Sequence, residues 1–180
     1  AGVPKDERER LGRWHRPARA MIVPGITLTD QRPMPPAALR RCLVDGATPE
    51  SWYELLNSRV FFWFDPKRLN RLRQAGGAPS QVVLVMDVGK LLAKYADRIS
   101  LAPITTGAAM RRPARRGPST FVPYTSWIVT GWDTEARALG TRPRPQSHKP
   151  AEMTVDGAIP DALGCTAEVR ILGPGDVFAP

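Results

Sequence analysis

Residues 60–64 read Val-Phe-Phe-Trp-Phe, and Asp65-Pro66 follow at once. Five apolar residues in a row, four of them aromatic, suit a strand buried on both faces. Asp can cap a helix and Pro fits its first turn, so the strand must hand over to a helix at this point. In that helix Leu69 and Leu72 form an apolar stripe behind Lys67, Arg68, Arg71 and Arg73. An aromatic strand running into a basic helix is the unit around which residues 57–73 must be organised.

Nineteen prolines in 180 residues bear on the rest of the chain. Proline breaks helix interiors and central strands, so many short elements and stiff loops are expected. A composition of 42% apolar and 24% charged residues argues against wholesale disorder, and the length suits one domain with its own core. The formal charge of +9, carried mainly by Arg, favours an anionic partner, although a basic composition alone does not prove one. Cys42 and Cys165 are too few and too far apart for a paired-Cys metal motif or a disulfide framework. With no long apolar run, no signal peptide and two thiols expected to be reduced, the expected compartment is the cytoplasm, without a membrane.

Along the chain, residues 4–11 predict a short charged helix, and 26–29 a strand after the break at Pro24-Gly25. Pro35-Pro36 open a helix with Leu39, Cys42 and Leu43 on one face, closed at Asp45-Gly46. Thr48-Pro49-Glu50 make an N-cap for a helix that buries Trp52, Leu55 and Leu56. Residues 82–86 read as the central strand, followed by a helix capped at Asp87. Short strands are expected at 98–101 and 119–122. Residues 133–150 hold almost no apolar side chain and read as a long basic loop. At the end, Met153 and Val155 point one way and Glu152, Thr154 and Asp156 the other. In 165–172, Cys165, Ala167, Val169 and Ile171 share one face. The sum is an α+β fold of small sheets with inserted helices.

No phosphate loop, dinucleotide glycine fingerprint, HExxH or nucleophile elbow is present. Three features could carry chemistry. Arg59 beside Phe61 and Trp63 could hold a phosphate and stack a ring, or else the aromatics are core and Arg59 is solvated. The turn Thr105-Thr106-Gly107 leads to Arg111, Arg112, Arg115 and Arg116, a cluster suited to phosphates or simply solvated. Glu152 opens a strand after the basic loop, where a carboxylate could stabilise a developing cation or stand merely exposed. His15, beside a proline, reads as a surface residue rather than a catalytic one.

These segments together resemble an uncharacterised bacterial domain family, itself distantly similar to the DarT-like ADP-ribosyltransferases. The resemblance rests on Asp30-Gln31-Arg32-Pro33-Met34, on residues 52–57 and 59–63, on Leu101-Ala102-Pro103-Ile104-Thr105-Thr106-Gly107, and on residues 116–123. Ala151-Glu152-Met153-Thr154-Val155, followed by Ile159-Pro160, is similar to the strand carrying the catalytic Glu in those enzymes. The resemblance implies a split-sheet ADP-ribosyltransferase-like core over residues 1–180, with NAD as substrate in the cleft between two small sheets and no metal. Glu152 would be the catalytic residue. Arg59, Phe61, Trp63, Thr106 and Gly107 would bind NAD. Arg111, Arg112, Arg142, Arg144 and Lys149 would bind the acceptor, and a neutralising protein partner is conceivable for a toxin-like domain. Such families usually open with a strand bearing a Tyr-His pair, then a helix and a Gly-Leu turn. Residues 1–180 contain none of these, so poor NAD binding by this stretch is expected. At position 105 Thr stands where Asn is usual.

Two functions are therefore expected in competition. One is an enzyme that cleaves NAD and transfers ADP-ribose to single-stranded DNA, RNA or a protein. The other is a non-catalytic nucleic-acid-binding module on the same scaffold, supported by the charge and the interleaved aromatics. A third, a protein-interaction domain, would show an exposed aromatic patch around Trp127 and Trp132.

Overall fold

The computed structural model describes residues 4–13, 19–23, 26–29, 34–76, 80–107 and 113–179. Helix α1 (Lys5–Arg13) precedes the hairpin strands β1 (Arg19–Val23) and β2 (Ile26–Thr29). Two helices follow, α2 (Pro36–Arg40) and α3 (Pro49–Asn57), then β3 (Arg59–Phe62) and α4 (Pro66–Gly76). Next come β4 (Gln81–Met86), α5 (Val88–Tyr95), β5 (Ile99–Ala102), β6 (Val122–Pro123), α6 (Tyr124–Thr130) and α7 (Asp133–Leu139). β7 (Glu152–Asp156) and β8 (Thr166–Leu172) complete the set. Among the described residues all pairings between these strands are antiparallel. β3-β7-β5-β6 form one sheet, β4-β8 a separate ribbon and β1-β2 a hairpin, so the fold is α+β with small sheets.

Local chemistry places the helices. Thr48 and Ser51 form a reciprocal capping box at the start of α3, with Pro49 in the first turn. The Asp87 side chain accepts from the Lys90 amide at the start of α5. Asp65 accepts from the Lys67 amide at 2.9 Å and turns the aromatic strand into α4.

Register decides which core each side chain joins. Arg59, Phe61, Thr154, Glu152, Ser100 and Ala102 fall on one face of the four-stranded sheet, and Val60, Phe62, Met153, Val155, Ile99 and Leu101 on the other. The first face packs on α2, α3 and Phe121 through Leu39, Cys42 and Trp52. The second packs on Leu91, Trp132 and Cys165. The expected alternation of Met153 and Val155 against Glu152 and Thr154 therefore holds, and both faces are covered.

Four expectations need correction. Residues 82–86 do not form the central strand: among the described residues β4 pairs with β8 alone, and Val82 and Leu84 are exposed. The role falls to β5 and β7, whose ladder is closed on both sides. Likewise β3 is an edge strand, half-buried throughout, with Phe64 exposed beyond it. Residues 133–150 are not one loop, because Asp133–Leu139 form α7, which buries Ala136 and Leu139. Finally, residues 118–120 form a 3-10 turn and leave only Val122 and Pro123 for β6. Asp45-Gly46 do close the α2 segment in the left-handed region, with φ of 60° and 71°, although the α-helix itself ends at Arg40.

Candidate functional site

Glu152 begins β7, opposite Ala102 at the end of β5, and the loop after β5 folds back over it. Its side chain is buried, with the residue only 2% exposed. The Thr106 amide donates to its carboxylate at 3.1 Å and the Thr106 hydroxyl at 2.8 Å. Two arginines bracket this contact. Arg116 donates from Nη1 to the Thr106 carbonyl at 2.8 Å and from Nε to the Ala114 carbonyl at 3.0 Å. Arg68, from α4, donates to the Thr105 hydroxyl. Burial pushes the Glu152 carboxyl above the usual carboxylate range, while the Thr106 hydrogen bonds and the charges of Arg68 and Arg116 oppose the rise.

The backbone of Arg116 is fixed by a parallel bridge to the 42–44 segment. Its amide donates to the Cys42 carbonyl and its carbonyl accepts from the Val44 amide, both at 2.9 Å. Burial lowers the pKa of its guanidinium, against the pull of Cys42 and Glu152. The neighbouring Cys42 thiol is raised by burial and partly relieved by Arg116. Glu152, Thr106, Arg116 and the Cys42 thiol thus form one buried polar cluster at the end of the central strands, with the half-buried Arg68 at its margin.

Arg59 lies on the same sheet face as Glu152 but opposite Asp156, four positions along β7. At about 3.3 Å per residue the two positions are separated by ~13 Å. Its guanidinium stacks 4.6 Å from the centre of the Phe121 ring, which Phe61 meets edge-on at 6.3 Å. The Nε and Nη1 atoms of Arg59 have no hydrogen-bond partner among the described residues. Burial depresses its pKa, with Asp156 opposing. A desolvated guanidinium with open donors is suited to an anion.

The other candidates are divided. Thr106 meets Glu152 directly, whereas Gly107 is exposed and has open space where a Cβ would point. Phe61 and Trp63 border a gap of about 880 Å3 between β3 and the β4-β8 ribbon. That gap occupies the place between two sheets where the resemblance would seat NAD, but Glu152, Arg59, Thr106 and Gly107 are not among its lining residues. Arg142 and Lys149 are exposed. Arg144 is ion-paired at 2.6 Å with Glu135, whose side chain is fully buried. Arg115 donates to the Gly140 carbonyl at 3.2 Å, which joins the arginine-rich segment to the basic 140–150 loop. The same loop approaches Glu152, since Nε2 of His148 lies 3.1 Å from the Pro103 carbonyl. Arg111, Arg112 and His15 lie outside the described residues.

Sequence reasoning missed Arg68, Glu135 and the burial of Arg116. Arg68 looked like one more cation on a solvated helix face, and Glu135 fell within the stretch read as a long basic loop. Only the spacing of Trp132, Ala136 and Leu139, at i, i+4 and i+7, could have signalled the helix that buries Glu135. Trp127 and Trp132 do not make an exposed aromatic patch: they meet at 5.8 Å, and Trp132 is buried. Among the described residues no group of three His, Cys, Asp or Glu side chains could hold a metal ion, and no helix is long and apolar enough to cross a membrane.

Residues 1–166 match the family of unknown function DUF7002, and the chain belongs to that family. No curated protein and no solved structure matches it.

Proposed function

Taking the chain as a DUF7002 domain, we propose that it is an ADP-ribosyltransferase-like enzyme that cleaves NAD and transfers ADP-ribose to a nucleic-acid acceptor. The observation that carries this reading is the preorganised Glu152. It is a desolvated carboxylate at a strand mouth, held by Thr106 and beside the basic 140–150 loop. A carboxylate fixed in this way can engage the nicotinamide ribose and stabilise the positive charge that develops as nicotinamide leaves. Arg59, with open donors on the same face, is the group to hold a phosphate of NAD. Arg115, which donates to the Gly140 carbonyl, and the exposed Arg142 supply anion-binding groups for the acceptor. With Glu152 only 2% exposed, residues 103–107 must open before a ribose can reach it.

The test is nicotinamide release from NAD by the full-length protein, with and without single-stranded DNA or RNA, for wild type and Glu152→Gln. Loss of about 10²–10³-fold in the variant is expected for removal of one charge-stabilising group. The burial of Glu152 favours a second reading, a nucleic-acid-binding module without chemistry. That reading takes over if wild type releases no nicotinamide while salt-dependent binding survives Glu152→Gln.

A further inference from the structure

β3 ends the four-stranded sheet, and β4 belongs to a ribbon of two, so each strand has an edge with no partner strand among the described residues. Those edges border one gap. Residues 60–64 all line it in succession, and so do residues 81–86. In a strand, successive side chains point to opposite faces, so an uninterrupted run of lining residues means that the strand presents its edge. The gap is therefore walled by two backbones as well as by side chains.

The hydrogen-bond alternation of β3 can be read from its neighbour. The Asp156 amide of β7 donates to the Arg98 carbonyl, towards β5. Val155 and Met153, one position out of phase, therefore turn their main-chain groups towards Val60 and Phe62. Phe61 is left with its N–H and C=O directed away from β7, into the gap. Such groups need partners when water is excluded.

We propose that this gap is a strand-acceptor site. An extended, predominantly apolar peptide segment of a protein partner inserts between β3 and β4 and joins the two sheets. The size fits: five residues of strand, at about 3.3 Å rise, 4.8 Å wide and 10 Å deep, occupy roughly 800 Å3, against about 880 Å3 in the gap. The apolar character follows from Phe62, Met86, Met153, Leu69 and Leu72 along the walls. The charged groups at the gap are already satisfied. Arg73 donates to Gln81 and to the Gly173 and Asp176 carbonyls, and Arg170 is paired with Glu168. A small apolar molecule would fill the volume but leave the main-chain groups of both edges unpaired, which disfavours it as occupant.

The test uses the full chain and a synthetic peptide, Asp-Glu-Val-Thr-Val-Thr-Val-Glu-Asp, followed by amide hydrogen exchange and Trp fluorescence. A second peptide of the same sequence, N-methylated at alternate residues, keeps the side chains and removes main-chain donors. The expected result is exchange at Phe61 and at alternate β4 amides slowed by about tenfold or more with the first peptide and not with the second. No slowing at millimolar peptide overturns the proposal. Equal slowing by both peptides also overturns it, and would identify the gap as a pocket for apolar side chains or small molecules.

Discussion

Replacing Thr106 by Val removes one hydroxyl from the carboxylate of Glu152 while leaving the backbone donor in place. The lost contact is 2.8 Å long, and Thr106 is 1% exposed, so water cannot readily substitute. A hydrogen bond to an ionised group contributes about 1.5–3 kcal/mol, and one between neutral groups about 0.5–1.5 kcal/mol. The cost should therefore depend on whether Glu152 is charged. Burial raises its pKa in the fold above the unfolded value, so the native state binds the extra proton and stability falls as pH rises from the ordinary carboxylate range through the raised value. The Thr106 hydroxyl favours the ionised form, so Thr106→Val raises the pKa further and deepens that fall. Urea unfolding should show a loss of about 2 kcal/mol above the window and at most about 1 kcal/mol below it. In a Glu152→Gln background the cost should drop to the smaller figure at every pH, which isolates the pair. An equal cost at both ends of the pH range, or one undiminished in that background, would refute the assignment of Thr106 as the support of a buried charge.

Two further outcomes test other parts of the structure. Arg144→Met leaves Glu135 buried without its cation, and should cost about 3 kcal/mol at neutral pH. That cost should shrink as pH falls through the raised pKa of Glu135, where protonation removes the charge, and urea midpoints across pH will show it. Gly117→Ala would place a Cβ 2.7 Å from the Val44 carbonyl oxygen and 3.0 Å from the Asp45 Cβ. The bridge that fixes Arg116 would be pushed apart, at about 1–3 kcal/mol by thermal unfolding.

What could be read from the sequence was what local chemistry decides. The cap at Thr48, the turn at Asp65-Pro66 and the two-residue alternation around Met153 each depend on neighbours within a few positions, and each is present. The choice of central strand was not legible. Residues 82–86 are apolar throughout, yet Val82 and Leu84 face outward. Ile99-Ser100-Leu101-Ala102, less apolar, is buried on both faces. An apolar run states what a strand can tolerate, and the pairing partner decides what it receives. The site was half legible for the same reason. Glu152 and Thr106 were singled out separately, but nothing in the chain signalled that they touch. That Arg116 enters the core while Arg115 stays at the surface depends on the bridge to residues 42–44.

The pairing of β4 with β8 also governs the order in which this protein can assemble. Val82 meets Ile171 and Asp87 donates to the Cys165 carbonyl, so the ribbon closes a loop that contains α5, β5, β6, α6, α7 and β7. Contacts this distant along the chain are formed late, because the loop entropy must be met before the ladder returns any enthalpy. During synthesis, β4 leaves the ribosome long before its partner strand β8. Until residues 166–172 follow, its apolar run remains unpaired, and this interval is when the nascent chain is most exposed to misassociation.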